Sequence, residues 1–191
     1  MLLDLVRGAR SYRRYDPSKP LSLETVAGFV EAARLTPSAG NLQKIRALAV
    51  TKKDEVETLT REVKWAGYLP DWDGPTEGEA PSAYLILLSP ADTGVSQIDV
   101  GIFAETVLLA ATEKGYGGCM ILNFPREALT ERYRLGKKYR IELVISLGVP
   151  AEKVEIEEVK DGNIRYYRDE NDVHRVPKRP LSEVFFTPED L

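Results

Sequence analysis

Apolar positions in this chain change their spacing several times, and each change marks an element. From Ser22 onward, Val26, Phe29, Val30 and Ala33 recur at helical intervals. Ser22 stands where it can cap the first turn, and Glu24 sits near the positive end of the helix dipole. Pro37 disfavours helical geometry in the residue before it, so this helix is expected to end near Leu35. Arg46 to Val50 predicts a short strand, and Asp54 to Lys64 a second amphipathic helix. Gly67 to Pro81 is rich in Gly, Pro, Asp and aromatic residues, which predicts a long loop over a site.

Tyr84 to Leu88 is an unbroken apolar run, the pattern of a strand buried on both faces. Ile102 to Ala111 is apolar nearly all round, interrupted mainly by Glu105 and Thr106. Such a helix belongs in the centre of a fold or at a subunit interface. Gly115 closes it. A strand at Cys119 to Leu122, a helix at Glu127 to Leu135 and a strand at Ile141 to Leu147 follow, the last ending at Gly148-Val149-Pro150. Beyond Pro150, Lys153 to Val159 alternates charged and apolar residues. Asp161-Gly162 is a turn signal, so Ile164 to Tyr167 is expected to be the partner strand of a hairpin. Pro177 to Leu191 is punctuated by proline and carries Val184-Phe185-Phe186, an apolar stretch that needs a surface, a partner subunit being one candidate. Strands and helices mix without a strict βαβ rhythm, which points to an α+β sheet flanked by helices in a single domain over 1–191.

Composition narrows the function classes. A length of 191 residues allows one sizeable core, and two full domains would be cramped. A net charge of -4 argues against nucleic-acid binding, which needs a broad basic face. Basic residues do gather at the N-terminus and around Arg175, Lys178 and Arg179, which fits a small anionic ligand better than a polymer. The single cysteine, Cys119, leaves no intrachain disulfide, and with one histidine it does not make a Cys/His zinc site. No apolar stretch reaches the roughly 20 residues that span a bilayer. Met1-Leu2-Leu3-Asp4 lacks a signal-peptide pattern, so a cytoplasmic location and no membrane partner are expected.

Two segments carry candidate chemistry. Arg10-Ser11-Tyr12-Arg13 places two guanidiniums and a hydroxyl within four residues, a set suited to phosphate through charge-assisted, forked hydrogen bonds. Pro37-Ser38-Ala39-Gly40-Asn41-Leu42-Gln43 is a small-residue turn whose Ser38, Asn41 and Gln43 can hydrogen-bond a polar planar ring. Each also suits an ordinary turn. Standing at the two ends of one helix, they suggest one pocket for a phosphorylated aromatic cofactor, flavin mononucleotide (FMN) being the leading candidate. No dinucleotide fingerprint or Walker A motif is present, since Gly115-Tyr116-Gly117-Gly118 follows a helix rather than a strand. Cys119 lies in an apolar run and is expected to be a buried structural thiol. His174, between Asp172 and Arg175, is expected to be an exposed imidazole without a catalytic role. Trp65, Tyr68 and Trp72 either line a substrate pocket or pack the long loop down.

These residues resemble the FMN-dependent nitroreductase family. The family's opening Arg-Ser-x-Arg-x-aromatic motif is matched by Arg10 to Tyr15, and its Pro-Ser-x-x-Asn-x-Gln turn by Pro37 to Gln43. Its apolar central helix resembles Ile102 to Ala111, followed by Gly115 and Gly117. A Gly-x-Pro at Gly148 to Pro150 and a basic-Pro-Leu run at Lys178-Arg179-Pro180-Leu181 complete the order. The likeness implies a mainly antiparallel central sheet flanked by helices and an intertwined homodimer with two flavins at the interface, the 150–191 hairpin and extension packing on the partner subunit. It implies Arg10, Ser11 and Arg13 on the FMN phosphate and ribityl chain, and Pro37, Ser38, Ala39, Asn41 and Gln43 beside the isoalloxazine. Backbone near Leu122 and Asn123 would face the flavin N5 edge, and Lys178 or Arg179 would return to the phosphate.

The activity implied is ping-pong oxidoreduction. NAD(P)H delivers hydride to flavin N5 and leaves, and an electron-poor small molecule such as a nitroaromatic or quinone takes the electrons. No side-chain acid or base is required, because the flavin carries the chemistry. The chain departs from the family pattern at Ala9, Lys44-Ile45 and Leu122, where many members carry Arg, Pro-Trp and an acidic residue. Other redox chemistry on the same fold (dehalogenation, ring oxidation, flavin fragmentation) and FMN sensing or storage without turnover stand as alternatives.

Overall fold

The computed structural model describes residues 1–190. Its centre is a four-stranded antiparallel sheet in the order β1-β2-β4-β3, built from β1 (Arg46–Val50), β2 (Ala83–Pro90), β3 (Gly117–Ile121) and β4 (Tyr139–Gly148). The apolar runs in β2 and β4 have a direct cause: both faces of these central strands are covered. Alternation sends Leu85, Leu87, Leu143, Ile145 and Leu147 into one core. There they meet Phe29 of α2 (Leu23–Ala33) and Val107 of α4 (Gln97–Glu113). Tyr84, Ile86, Leu88 and Val144 go into the other, against Leu59 of α3 (Lys53–Glu62) and Leu129 of α5 (Arg126–Arg132). Between Leu87 and Leu88 the register slips so that Leu88 faces Ile141, which turns Ile141 into the second core.

The cap of α2 follows the sequence. Ser22 Oγ accepts the amide of Thr25 at 3.0 Å. Ser96 Oγ accepts that of Ile98 at 3.2 Å, starting α4 five residues before the apolar run predicts. A short helix at Leu2–Gly8, α1, escaped the pattern analysis because none of its residues is buried. Among the described residues, no helix is long and apolar enough to cross a membrane.

Beyond Pro150 the pairing differs from the expected hairpin. β5 (Val154–Glu158) runs parallel to β7 (His174–Lys178), and the hairpin partner of β7 is β6 (Tyr167–Arg168). The Asp161-Gly162 turn does form, with a bridge between Lys160 and Asn163. The chain then leaves the ladder and turns back at Asp169–Asp172, where Asp169 accepts the amides of Asn171 and Val173. A second Asx-type turn, hidden in a polar stretch, displaced the predicted partner.

Candidate functional site

Arg10 to Tyr15 crosses the edge of the sheet in extended form and is held at both ends. The amide of Tyr12 donates to Gly118 O at 3.0 Å, and Asp16 N donates to Val149 O at 2.9 Å. Tyr15 is fully buried, its hydroxyl 2.7 Å from Ser146 Oγ. The carboxylate of Glu152 accepts the amides of both Arg13 and Arg14. This lattice points Arg10, Ser11 and Arg13 into a cavity of about 340 Å³, which Lys178 of β7 also lines. Three cations share the wall with one carboxylate, Glu105 of α4. Arg10 Nη2 donates to Val6 O at 2.6 Å, while its Nε is buried with no protein partner. Arg179 stands apart, paired with Glu183 at 2.6 Å.

Arg13 is only 8% exposed. Its Nη1 donates to Ser11 O at 3.1 Å and approaches His174 Nε2 at 3.4 Å, and its guanidinium lies 4.8 Å from the centre of the Tyr166 ring. His174 therefore differs from the exposed imidazole expected of it. It is 1% exposed, and it lines the cavity with Tyr166, whose ring is 5.2 Å away. The flanking Asp172 and Arg175 gave a polar signal, yet alternation along β7 turns the imidazole inward while Arg175 pairs outward with Glu155 and Asp169. Burial, and then Arg13, Arg168 and Arg14 against the opposing pull of Glu152, push its pKa down to about 4. Cys119 is buried as expected, and burial pushes its thiol pKa up.

The Pro37–Gln43 turn lies elsewhere on the chain. It lines a separate cavity of about 140 Å³ through Pro37, Ser38 and Gln43, and shares no lining residue with the first. One chain thus holds the two motifs at two separate cavities rather than in one pocket. Gly40, Asn41 and Gln43 all have positive φ, at 58°, 54° and 47°. Two non-glycine residues in that region make a costly backbone, which persists only where the surroundings impose it. Asp99 of α4 anchors the start of the turn, its buried carboxylate accepting the amide of Ala39 at 3.0 and 3.3 Å, and Ser38 Oγ accepts the amide of Gln43 at 3.2 Å. No sequence signal singled out Asp99 or Glu152, because both lie in their roles through contacts 60 and 139 residues away. The turn leaves Ala39, Asn41 and Gln43 exposed.

Leu122 and Asn123 follow β3 directly, and the β3–β4 ladder ends with Ile121 opposite Val144. The amide of Leu122 therefore lies past the ladder, two residues beyond Met120, which lines the cation-rich cavity. The aromatic trio divides. Trp65 is buried, with its indole N–H donating to Thr60 O at 3.1 Å and Trp72 edge-on at 6.4 Å. Arg168 lies 4.5 Å over Trp72, so these two rings pack the loop down. Tyr68 remains exposed and packs at a tilt against Tyr166, a cavity-lining residue, with ring centres 4.9 Å apart.

Fold and site together define an α+β protein with a donor-rich, cationic cavity at one sheet edge and a strained polar turn at another. A model of the Nitroreductase family matches residues 6–149, and the chain belongs to that family. It is 27% identical over 169 residues to an Archaeoglobus fulgidus protein named as a candidate NADH dehydrogenase/NAD(P)H nitroreductase, covering 83% of this chain and 91% of that one. A nitroreductase family protein from Streptococcus pneumoniae TIGR4 superposes with a TM-score of 0.71 at 18% identity, covering 98% of this chain and all of that one. A candidate nitroreductase from Exiguobacterium sibiricum 255-15, solved in complex with FMN, superposes with a TM-score of 0.70 at 17% identity over 98% and 97% of the two chains. At these identities the two structures speak for the fold.

Proposed function

We propose that this protein is an FMN-dependent oxidoreductase that takes electrons from NAD(P)H and passes them to electron-poor small molecules such as nitroaromatics and quinones. The observation that carries the reading is the cavity in which Arg10, Ser11, Arg13 and Lys178 converge. The buried, partnerless Nε of Arg10 asks for an acceptor, and donors of this kind suit a phosphate. When bound, FMN supplies the two-electron redox chemistry. The chain's own part is to hold and orient it: Arg10, Arg13 and Lys178 grip the phosphate, and Ser11 lies toward the ribityl chain. The backbone at Leu122 and Asn123, just past the end of the β3–β4 ladder, would face the ring edge at N5.

The ring-side turn belongs to a second copy of the chain. Pro37, Ser38 and Gln43 line a cavity that shares no residue with the cationic one, and Ala39 and Asn41 lie exposed on the same turn, so a homodimer would bring the two sets together. Leu181, Val184, Phe185 and Phe186 are exposed, as are Leu2, Leu3 and Val6 of α1, and such side chains suit a partner surface. The extension past Pro150 would then lie across the partner.

Purified protein is expected to be yellow, to release FMN on denaturation and to elute near twice the 21.4 kDa chain mass. An anaerobic titration with NADH and NADPH should bleach the flavin, and a nitroaromatic or quinone should restore its colour. A colourless protein that takes up no FMN would overturn the reading, and a flavin that neither nicotinamide bleaches would reduce it to FMN binding.

A further inference from the structure

We propose that His174 is a positioning residue for Arg13: its Nε2 lone pair, kept available by the Nδ1–H tautomer, holds the guanidinium in the orientation that grips phosphate. The inference rests on the FMN reading for its consequence, and on geometry alone for the tautomer. A guanidinium has donors and no acceptor. The 3.4 Å approach of Arg13 Nη1 to His174 Nε2 is therefore favourable only when Nε2 carries no proton. The imidazole must then be neutral with its proton on Nδ1, an atom that is buried and has no protein partner. A protonated ring would face Arg13, Arg14 and Arg168 with only the Glu152 carboxylate in opposition nearby, and Arg10, Lys178 and Glu105 line the same cavity. Tyr166 completes the seat by covering the guanidinium and packing on the imidazole. Without the imidazole, Arg13 keeps one acceptor, Ser11 O, and the face of Tyr166, and a fork with a single hydrogen bond is no longer fixed in its plane.

The chain has one histidine, so ¹⁵N-histidine labelling gives one imidazole to observe. In ligand-free protein at pH 7 the spectrum should show the proton on Nδ1; a proton on Nε2 would overturn the proposal whether or not FMN binds. Two variants test the consequence. His174→Gln keeps an acceptor within reach of Arg13, and His174→Phe keeps a ring without one. FMN affinity is expected to fall by roughly tenfold or more in His174→Phe and to be largely restored in His174→Gln, as for a hydrogen bond to a charged group. Riboflavin, which lacks the phosphate, should bind both variants and the parent alike. Equal losses in the two variants, or equal losses for FMN and riboflavin, would reduce His174 to a packing role. If His174→Phe fails to fold, the tautomer result still decides. Failure of the parent itself to bind FMN would refute the functional reading and leave the tautomer result standing.

Discussion

Glu152 accepts hydrogen bonds from the backbone amides of Arg13 and Arg14, lying 139 and 138 residues away in sequence, and so pins from behind the segment that aims Arg13 at its cavity. The same carboxylate takes Arg168 Nη2 at 3.0 Å, and its side chain is only 2% exposed. Two amides and a guanidinium thus depend on a single buried charge.

Glu152→Ala should therefore be severe. It leaves Arg168 without its innermost partner and two amides without acceptors, a loss of about 3–5 kcal/mol for breaking a buried pair from one side. Urea unfolding at pH 7 measures it. A change below about 1 kcal/mol would mean that water replaces the carboxylate without penalty and that the segment is held elsewhere.

Lys178 and Arg179 are adjacent, and the structure separates them. Lys178 lines the cavity with Arg10, while Arg179 pairs with Glu183 in an exposed i,i+4 contact. Lys178→Ala should weaken FMN binding by roughly tenfold or more, the scale of one hydrogen bond to a charged group. Arg179→Ala should leave affinity and stability nearly unchanged, because exposed pairs contribute little. Fluorescence titration of both variants compares them, and the reverse order would assign the phosphate to Arg179.

Local signals carried the four-stranded sheet. Arg46 to Val50 and the apolar runs of β2 and β4 are strands because both faces of the sheet are covered, and period and length express that in the sequence itself. The cap at Ser22 is local in the same way, whereas Ser96 starts its helix in a polar stretch that the apolar run does not mark. What escaped was non-local. β7 pairs in parallel with β5 across some twenty residues, the buried state of His174 depends on that pairing, and Glu152 has meaning only once Arg13 has been brought to it. Of the site, the sequence supplied the motif residues. Their division between two cavities on one chain follows from tertiary placement that no spacing encodes.

The buried imidazole makes stability depend on pH in a predictable direction. His174 titrates at about 4 in the folded chain and near 6.5 when unfolded, so between those values the unfolded state binds more protons. Folding stability should fall as pH drops from 6.5 to 4, by up to about 3 kcal/mol from this group, with no contribution from it above 6.5. His174→Gln removes the titration while leaving Arg13, Arg14, Arg168 and Glu152 in place. Chemical unfolding of both proteins at pH 7 and pH 4.5 should show the parent losing more stability than the variant. Parallel losses would mean that the imidazole is solvated enough to keep an ordinary pKa.

Gly118 joins the sheet to the motif, and substitution there should damage both. A Cβ at this position would lie 2.3 Å from the carbonyl oxygen of Ser146 and 2.7 Å from Leu108 Cδ2. The leucine can rotate, but Ser146 belongs to β4 in the interior of the sheet, so β3 would have to move instead. Gly118 O accepts the amide of Tyr12, so that movement carries Arg10 to Arg13 with it. Gly118→Ala is expected to cost about 3 kcal/mol or more in urea unfolding, at the upper end for overpacking, and to weaken FMN binding in the fraction that folds. Gly28 in α2 provides the contrast, since nothing lies within 4 Å of the place a methyl group would take there and its backbone is helical. Gly28→Ala should stabilise by about 0.5–1 kcal/mol through helix propensity. Equal effects at the two glycines would show that β3 yields freely, and the link from Gly118 to the phosphate grip would then fail.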